Sequence, residues 1–290
     1  MAAAALFGTT GTSLSWSDRD LDPWSTGALR LLVGGALLTV VARRDLTSLR
    51  RAPGILVLGS LMVAAYQLLF FWSVSTTGVA TSTLVTIGVS PIASRFISFL
   101  RRRGAPNGGW WIRAGVLVGG LVVLIVGGTD DIDVRPLGVV AAVVAGTAFA
   151  AYTECASTSI ERGAGNDATL GAFFFGAGAL CTPLLLFRPI DVLASGRGVM
   201  VLGHLSVVTL TLAYMAFGRG LRVLPSTTVT MLTMAEPLVA TTLAVVVLNE
   251  DIGPIGWCGA AILVAGLVMV TRADAGSRDS DRRPPISVEP

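Results

Sequence analysis

Glu236 and Pro237 stand side by side in an otherwise apolar run, eleven residues past Pro225 and fourteen before Glu250. If the run is helical, its 1.5 Å rise per residue places the carboxyl group about 16 Å from the nearer end. A side chain cannot reach water from that depth. Pro237 has no amide hydrogen, so a carbonyl one turn earlier, near Thr233, loses its helical donor. A carboxylate, a hydroxyl and a free carbonyl converging there would suit a cation, an ammonium group or a proton. The alternative is a protonated or ion-paired structural glutamate. A charge at membrane depth costs about 2.5–3.5 kcal/mol, so each one needs a reason to be there.

Three further charges interrupt apolar runs: Arg30, Arg95 and Glu154. Arg30 carries a planar fork that matches a carboxylate or phosphate, and it could equally pair with Asp20 or Asp22. Arg95 is six residues from the cluster Arg101, Arg102 and Arg103 and can stretch toward it. Glu154, eight residues before Arg162, either lines a pore or forms a salt bridge near an interface. Tyr66, Gln67, Thr233 and Tyr214 are candidate walls of the same cavity. Thr83, Thr86, Ser90 and Ser94 recur at helical spacing, although serine and threonine also join helix to helix. The acidic stretch from Thr129 to Asp133 reads as a solvated loop.

The one histidine, His204, reads as interfacial, and the three cysteines, Cys155, Cys181 and Cys258, all fall in apolar spans. Neither a disulfide framework nor a histidine- or cysteine-built metal centre is expected. No cofactor is implied. An intramembrane enzyme would need a nucleophile with its base, or paired aspartates at depth; the apolar spans hold no aspartate, so the chain is read as not an enzyme.

These residues must be positioned by elements in lipid. The chain of 290 residues is 53% hydrophobic and 13% charged, with mean hydropathy +0.74, against roughly 25% charged residues in soluble domains. All 21 basic residues are arginine, clustered between apolar spans, which argues against nucleic acid as a partner. About 20 apolar residues cross a hydrocarbon core, and spans of that kind fall at 1–16, 25–42, 54–76, 79–100, 110–128, 136–159, 168–187, 198–218, 225–248 and 255–271. The first would reach only about 24 Å, so a start upstream of Met1, or a truncated chain, is expected. With the N-terminus inside, 15 arginines lie in inner loops and the tail against four in outer loops; the positive-inside rule then puts both termini in the cytoplasm.

Spans 79–100 and 225–248 read as copies 146 residues apart. Each carries a proline near its middle, Ser90-Pro91 and Glu236-Pro237, and each is followed by a polar loop and a Gly-Trp pair, Gly109-Trp110 and Gly256-Trp257. Five spans per half is odd, so the halves enter the membrane from opposite sides. Inverted repeats with interrupted spans at matching positions point to the central site of a transporter. Gly115 and Gly119, like Ala261 and Ala265, are four apart and suit close helix packing.

At these residues the chain resembles the EamA-like branch of the drug/metabolite transporter superfamily. The resemblance is sharpest from Met234 to Ala240, at Asn249 and Glu250, and at Gly256-Trp257 and Ala265-Gly266; Phe7 to Thr10 and Thr26 to Arg30 resemble its first two helix signatures. Where the fourth helix of that family closes with a glutamate, this chain has Arg101, Arg102 and Arg103. The resemblance implies ten helices in two inverted repeats, a central cavity with alternating access, and export or exchange of small metabolites, amino acids or drugs, often proton-coupled.

The sequence reading is therefore an all-α polytopic membrane protein with ten transmembrane helices in two inverted five-helix repeats, 1–128 and 129–271, and a disordered cytoplasmic tail, 272–290. It sits in the inner or plasma membrane and exports a small organic solute by rocking the repeats about spans 4 and 9. Glu236 takes the proton or other coupling ion and Arg30 faces an anion. No phosphate-binding Gly-x-x-x-x-Gly-Lys loop is present, so the energy comes from a gradient. The expected partners are a small-molecule substrate, a coupling ion and membrane lipid, with homodimerisation left open. An uncoupled facilitator or exchanger, and a non-transporting membrane assembly protein, are the alternatives.

Overall fold

The computed structural model describes residues 1–17, 21–51, 53–101, 108–128, 135–249 and 251–282. Among them every regular element is helical: α1 (Ala2–Leu14), α2 (Pro23–Val41), α3 (Pro53–Leu100), α4 (Gly108–Gly127), α5 (Pro136–Glu161), α6 (Asn166–Cys181), α7 (Gly196–Ser206), α8 (Ala213–Leu221), α9 (Ser226–Thr233), α10 (Ala235–Leu248) and α11 (Gly253–Arg282). Eight continuous helical stretches are long and apolar enough to cross a membrane. The 13 residues of α1 fall short of that length.

The 48 residues of α3 would extend about 72 Å, more than twice a hydrocarbon core of about 30 Å. Gly78 breaks it, with φ 79° and ψ 165°, between the two spans expected at 54–76 and 79–100. The Ser82 hydroxyl donates to the Gly78 carbonyl at 2.7 Å and lies 2.7 Å from the Ser73 hydroxyl, so the break is stitched by side chains. A Cβ at Gly78 would meet no atom within 4 Å. The cost of Gly78→Ala is therefore conformational, about 1–3 kcal/mol for a backbone region reserved for glycine. It is expected as a lowered thermal midpoint in detergent, with no change in helix content.

Pro91 lies inside the second arm of α3, which continues through it. In the other half the interruption is sharper. Helix α9 stops at Thr233, and α10 starts two residues later with Glu236 and Pro237 in its first turn. Between α7 and α8 the chain widens into a π-turn, Val207–Leu212, where the expected span was a plain helix. There the Thr211 hydroxyl donates to the carbonyls of Ser206, at 2.9 Å, and Gly34, at 3.2 Å. π-turns of this kind often mark functional positions.

Two apolar clusters fill the interior. Phe7, Leu31, Val63, Tyr152, Phe173, Phe174 and Phe217 belong to one, and Trp110, Leu117, Leu121, Met234, Leu263 and Leu267 to the other. Helices of the two halves interlock: α2 lies on α6, α1 on α10, the second arm of α3 on α5, and α4 on α11. The small residues that permit the α4–α11 contact differ from those expected. Gly115, Gly119, Ala261 and Ala265 are exposed, and no atom lies within 4 Å of a Cβ built on either glycine. Gly120 and Gly259 make the close approach, because a one-residue rotation on a helix is 100°. Helix α11 also runs on from Arg272, where a disordered tail was expected, to Arg282; the sequence offers no proline before Pro284 to stop it.

One face gathers the ends that carry Arg43, Arg44, Arg101, Arg162 and Arg222. There the Gly165 amide donates to the Ser48 hydroxyl at 2.9 Å, joining the α2–α3 and α5–α6 connections. On the opposite face Arg188 pairs with Asp22 at 3.6 Å and covers the Trp24 ring at 5.6 Å. Asp20, Arg102, Arg103, the 129–133 acidic loop, Glu250 and residues 283–290 lie outside the described residues.

Candidate functional site

Arg30, Tyr66 and Glu236 come together from α2, α3 and α10. Arg30 is within electrostatic reach of Glu236, and both act on Tyr66 and Tyr214. All three residues keep partial exposure, Arg30 and Tyr66 well inside their helices and Glu236 in the first turn of α10. Their side chains form one cluster between the three helices.

One side of this cluster is aromatic. The Tyr152 and Tyr214 hydroxyls are 2.8 Å apart and buried. The Tyr66 ring lies 5.7 Å from Phe149 and 6.1 Å from Tyr152, and Phe174 lies 4.1 Å from Tyr214. Each offers an apolar face, and the tyrosines add a polar tip. Gln67, one residue on from Tyr66, is buried against Gly27 of α2. Tyr152 of α5 was not among the candidate walls named from the sequence.

Hydrogen bonding separates the two deep carboxylates. Among the described residues no group donates a hydrogen bond to Glu236. The buried Nε of Arg30 likewise has no hydrogen-bond partner among them. Asp22, a proposed partner for Arg30, instead caps α2 by accepting from the Ser25 amide at 2.8 Å. Glu154, 2% exposed, is closely bound: the Ser98 hydroxyl donates to its Oε1 at 2.7 Å, Ser226 donates to the same oxygen, and Arg101 lies 3.6 Å from Oε2. Ser98 and Ser226 were not singled out from the sequence, and Arg101 was read only as part of the arginine cluster. The usable signal was the spacing of Ser94, Ser98 and Arg101, which puts them on one helical face.

The remaining candidates lie elsewhere. The Thr233 hydroxyl donates to the Thr230 carbonyl at 2.7 Å, and Thr233 borders a separate small cavity of about 70 Å³ beside Met1 to Ala4. Arg95 lines a larger cavity on the arginine-rich face. His204 Nε2 is 2.9 Å from the Thr9 hydroxyl, and Trp16 meets its ring edge-on.

An all-helical fold with this many long apolar helices, and charges converging between them, defines a multi-pass membrane protein. Comparison with known proteins gives the class its name. Residues 1–126 and 136–272 each match the model of the EamA-like transporter family, and the chain belongs to that family. It is 31% identical over 275 residues to the "Uncharacterized transporter YwfM" of Bacillus subtilis (strain 168), covering 94% of this chain and 92% of that one. It also superposes on a solved crystal structure with a TM-score of 0.82 at 20% identity, over 95% of this chain and 96% of the other, a likeness of fold. The protein is a membrane transporter.

Proposed function

We propose that the protein is a secondary transporter of the inner or plasma membrane that exports a small organic solute against a proton or other ion gradient. Helix α3 is read as two crossings joined at Gly78 and α1 as a short first crossing, making ten, with the arginine-rich face and both termini cytoplasmic. The observation that carries the reading is the approach of Arg30, whose Nε has no hydrogen-bond partner, to Glu236, which accepts no hydrogen bond, among the described residues between helices. Neither charge would be kept there for packing alone. A cluster with both signs and an aromatic side suits a small solute that carries an acid group, an amine, or both. Glu236 is the coupling site, Arg30 faces the solute's anionic group, and Tyr66, Gln67 and Tyr214 form walls. Alternating access turns about the second arm of α3 and the α9–α10 pair.

Untargeted mass spectrometry of the medium from expressing and non-expressing cells tests this reading. Accumulation outside of one chemical class of small molecule, reproduced as flux with purified protein in liposomes, is the expected result. Liposomes that pass none of the candidate molecules under an imposed gradient would sink it.

A further inference from the structure

A cavity of about 630 Å³ opens on the arginine-rich face, lined by Arg95 and Ser98 of α3, Ser157 and Glu161 of α5, and Ser226 and Thr227 of α9. Two of its lining side chains are tied to one another through hydrogen bonds. Ser98 and Ser226 both donate to Glu154 Oε1, so one carboxylate on α5 ties the end of α3 to the start of α9. Arg101 approaches the other oxygen at 3.6 Å and also donates to Thr158. That guanidinium already answers the carboxylate's charge, which argues against a bound cation there.

The position of the knot matters. On α5, Ser157 and Glu161 lie on its outer side, facing the cavity, while Tyr152 lies on its inner side with Tyr66, Tyr214 and Glu236. On α9, Ser226 and Thr227 border the cavity and Thr230 is fully buried one turn deeper. Away from that face the helices meet differently. There α1 meets α10 with Gly8 against Val239 and Ala240, and among the described residues no hydrogen bond joins the two helices. One contact is polar and the other apolar.

We propose that Glu154 is the lock of a gate on the arginine-rich face, holding α3 and α9 together through Ser98 and Ser226 and sealing the cavity from the Arg30–Glu236 cluster. Its consequence for transport rests on the function proposed above, but its geometry does not. Opening that face requires both hydroxyls to leave the carboxylate, while Arg101 keeps the charge paired.

The test is Thr230→Cys as a reporter in a protein whose three native cysteines are replaced by serine. It is labelled in oriented vesicles with a membrane-impermeant maleimide applied to one face at a time. Adding Ser98→Ala with Ser226→Ala leaves Glu154 paired to Arg101, so no buried charge is orphaned. Labelling from the arginine-rich face is expected to rise about tenfold or more, the loss of a hydrogen bond to a charged group, with no rise from the other face. Glu154→Gln, which keeps the side-chain volume, should raise it as well. Unchanged labelling in both variants overturns the proposal, and so does an equal rise from both faces, which marks general loosening. Labelling needs no solute, so failure of the transport reading and failure of the lock are separate results.

Discussion

Glu236→Gln is expected to abolish gradient-driven accumulation of solute while leaving the protein folded and in the membrane. The size of the effect follows from the driving force. For a neutral solute exchanged against one proton, a potential of 100 mV supplies about 2.3 kcal/mol, a concentration ratio of about 50-fold. Glutamine has the same shape and cannot exchange a proton, so the ratio should collapse toward one. Exchange of solute for solute across the same liposomes should continue, because the variant keeps the walls of the proposed site. The measurement is internal and external solute at steady state under an imposed gradient. A variant ratio that stays at about 50-fold would place the coupling group elsewhere, and a wild-type ratio already near one would identify an uncoupled facilitator.

The coupling role proposed here suits Glu236 better than Glu154, although both are carboxylates at depth. A carboxylate that binds and releases a proton in each cycle must not be committed to fixed donors. Glu154 is held by Ser98, Ser226 and Arg101, so changing its state means breaking a knot that joins three helices. Glu236 accepts no hydrogen bond among the described residues, and Arg30 is the charged group that acts on it. Arg30 then gives the site its logic. In the proposed function, a solute amine paired with Glu236 would compete with the proton for that carboxylate, while Arg30 holds the solute's anionic group.

Much of this was legible in the sequence because lipid simplifies the code. Apolar length fixes where helices run, and Glu236, Arg30 and Glu154 stand out because charge is costly there. The break at Gly78 was legible as a boundary between spans, since no single crossing can be 48 residues long. What the sequence hid was rotation about each helix axis. Gly115 and Gly120 differ by five residues, yet only Gly120 faces α11. Thr233 was expected beside Glu236, but its hydroxyl is spent on Thr230 and its side chain borders another cavity. The serines of the Glu154 knot were hidden for a different reason. Ser98 and Ser226 are 128 residues apart, and serines in lipid are too common to reveal which of them find a charge.

The same sensitivity to rotation makes Gly35→Ala the other large effect expected. A Cβ at Gly35 would lie 2.3 Å from the Phe175 amide nitrogen and 2.7 Å from the Phe174 carbonyl carbon. Both are backbone atoms of α6, which cannot swing aside as a flexible side chain would. From the other helix, a Cβ at Gly178 would come within 2.6 Å of the Leu32 nitrogen, so the α2–α6 contact is backbone against backbone along its length. In lipid no hydrophobic force between helices compensates for lost packing. Forced separation should therefore cost about 3 kcal/mol, at the upper end for overpacked sites. Helix α2 carries Arg30 five residues before Gly35, so the guanidinium would move with the helix. The expected outcome is a lowered thermal midpoint in detergent together with loss of solute affinity at surviving transport sites. The neighbouring exposed position supplies the comparison: Val33→Ala, on the outer side of the same helix, should change neither. Equal effects at both positions would mean that α2 does not rest on α6 as described.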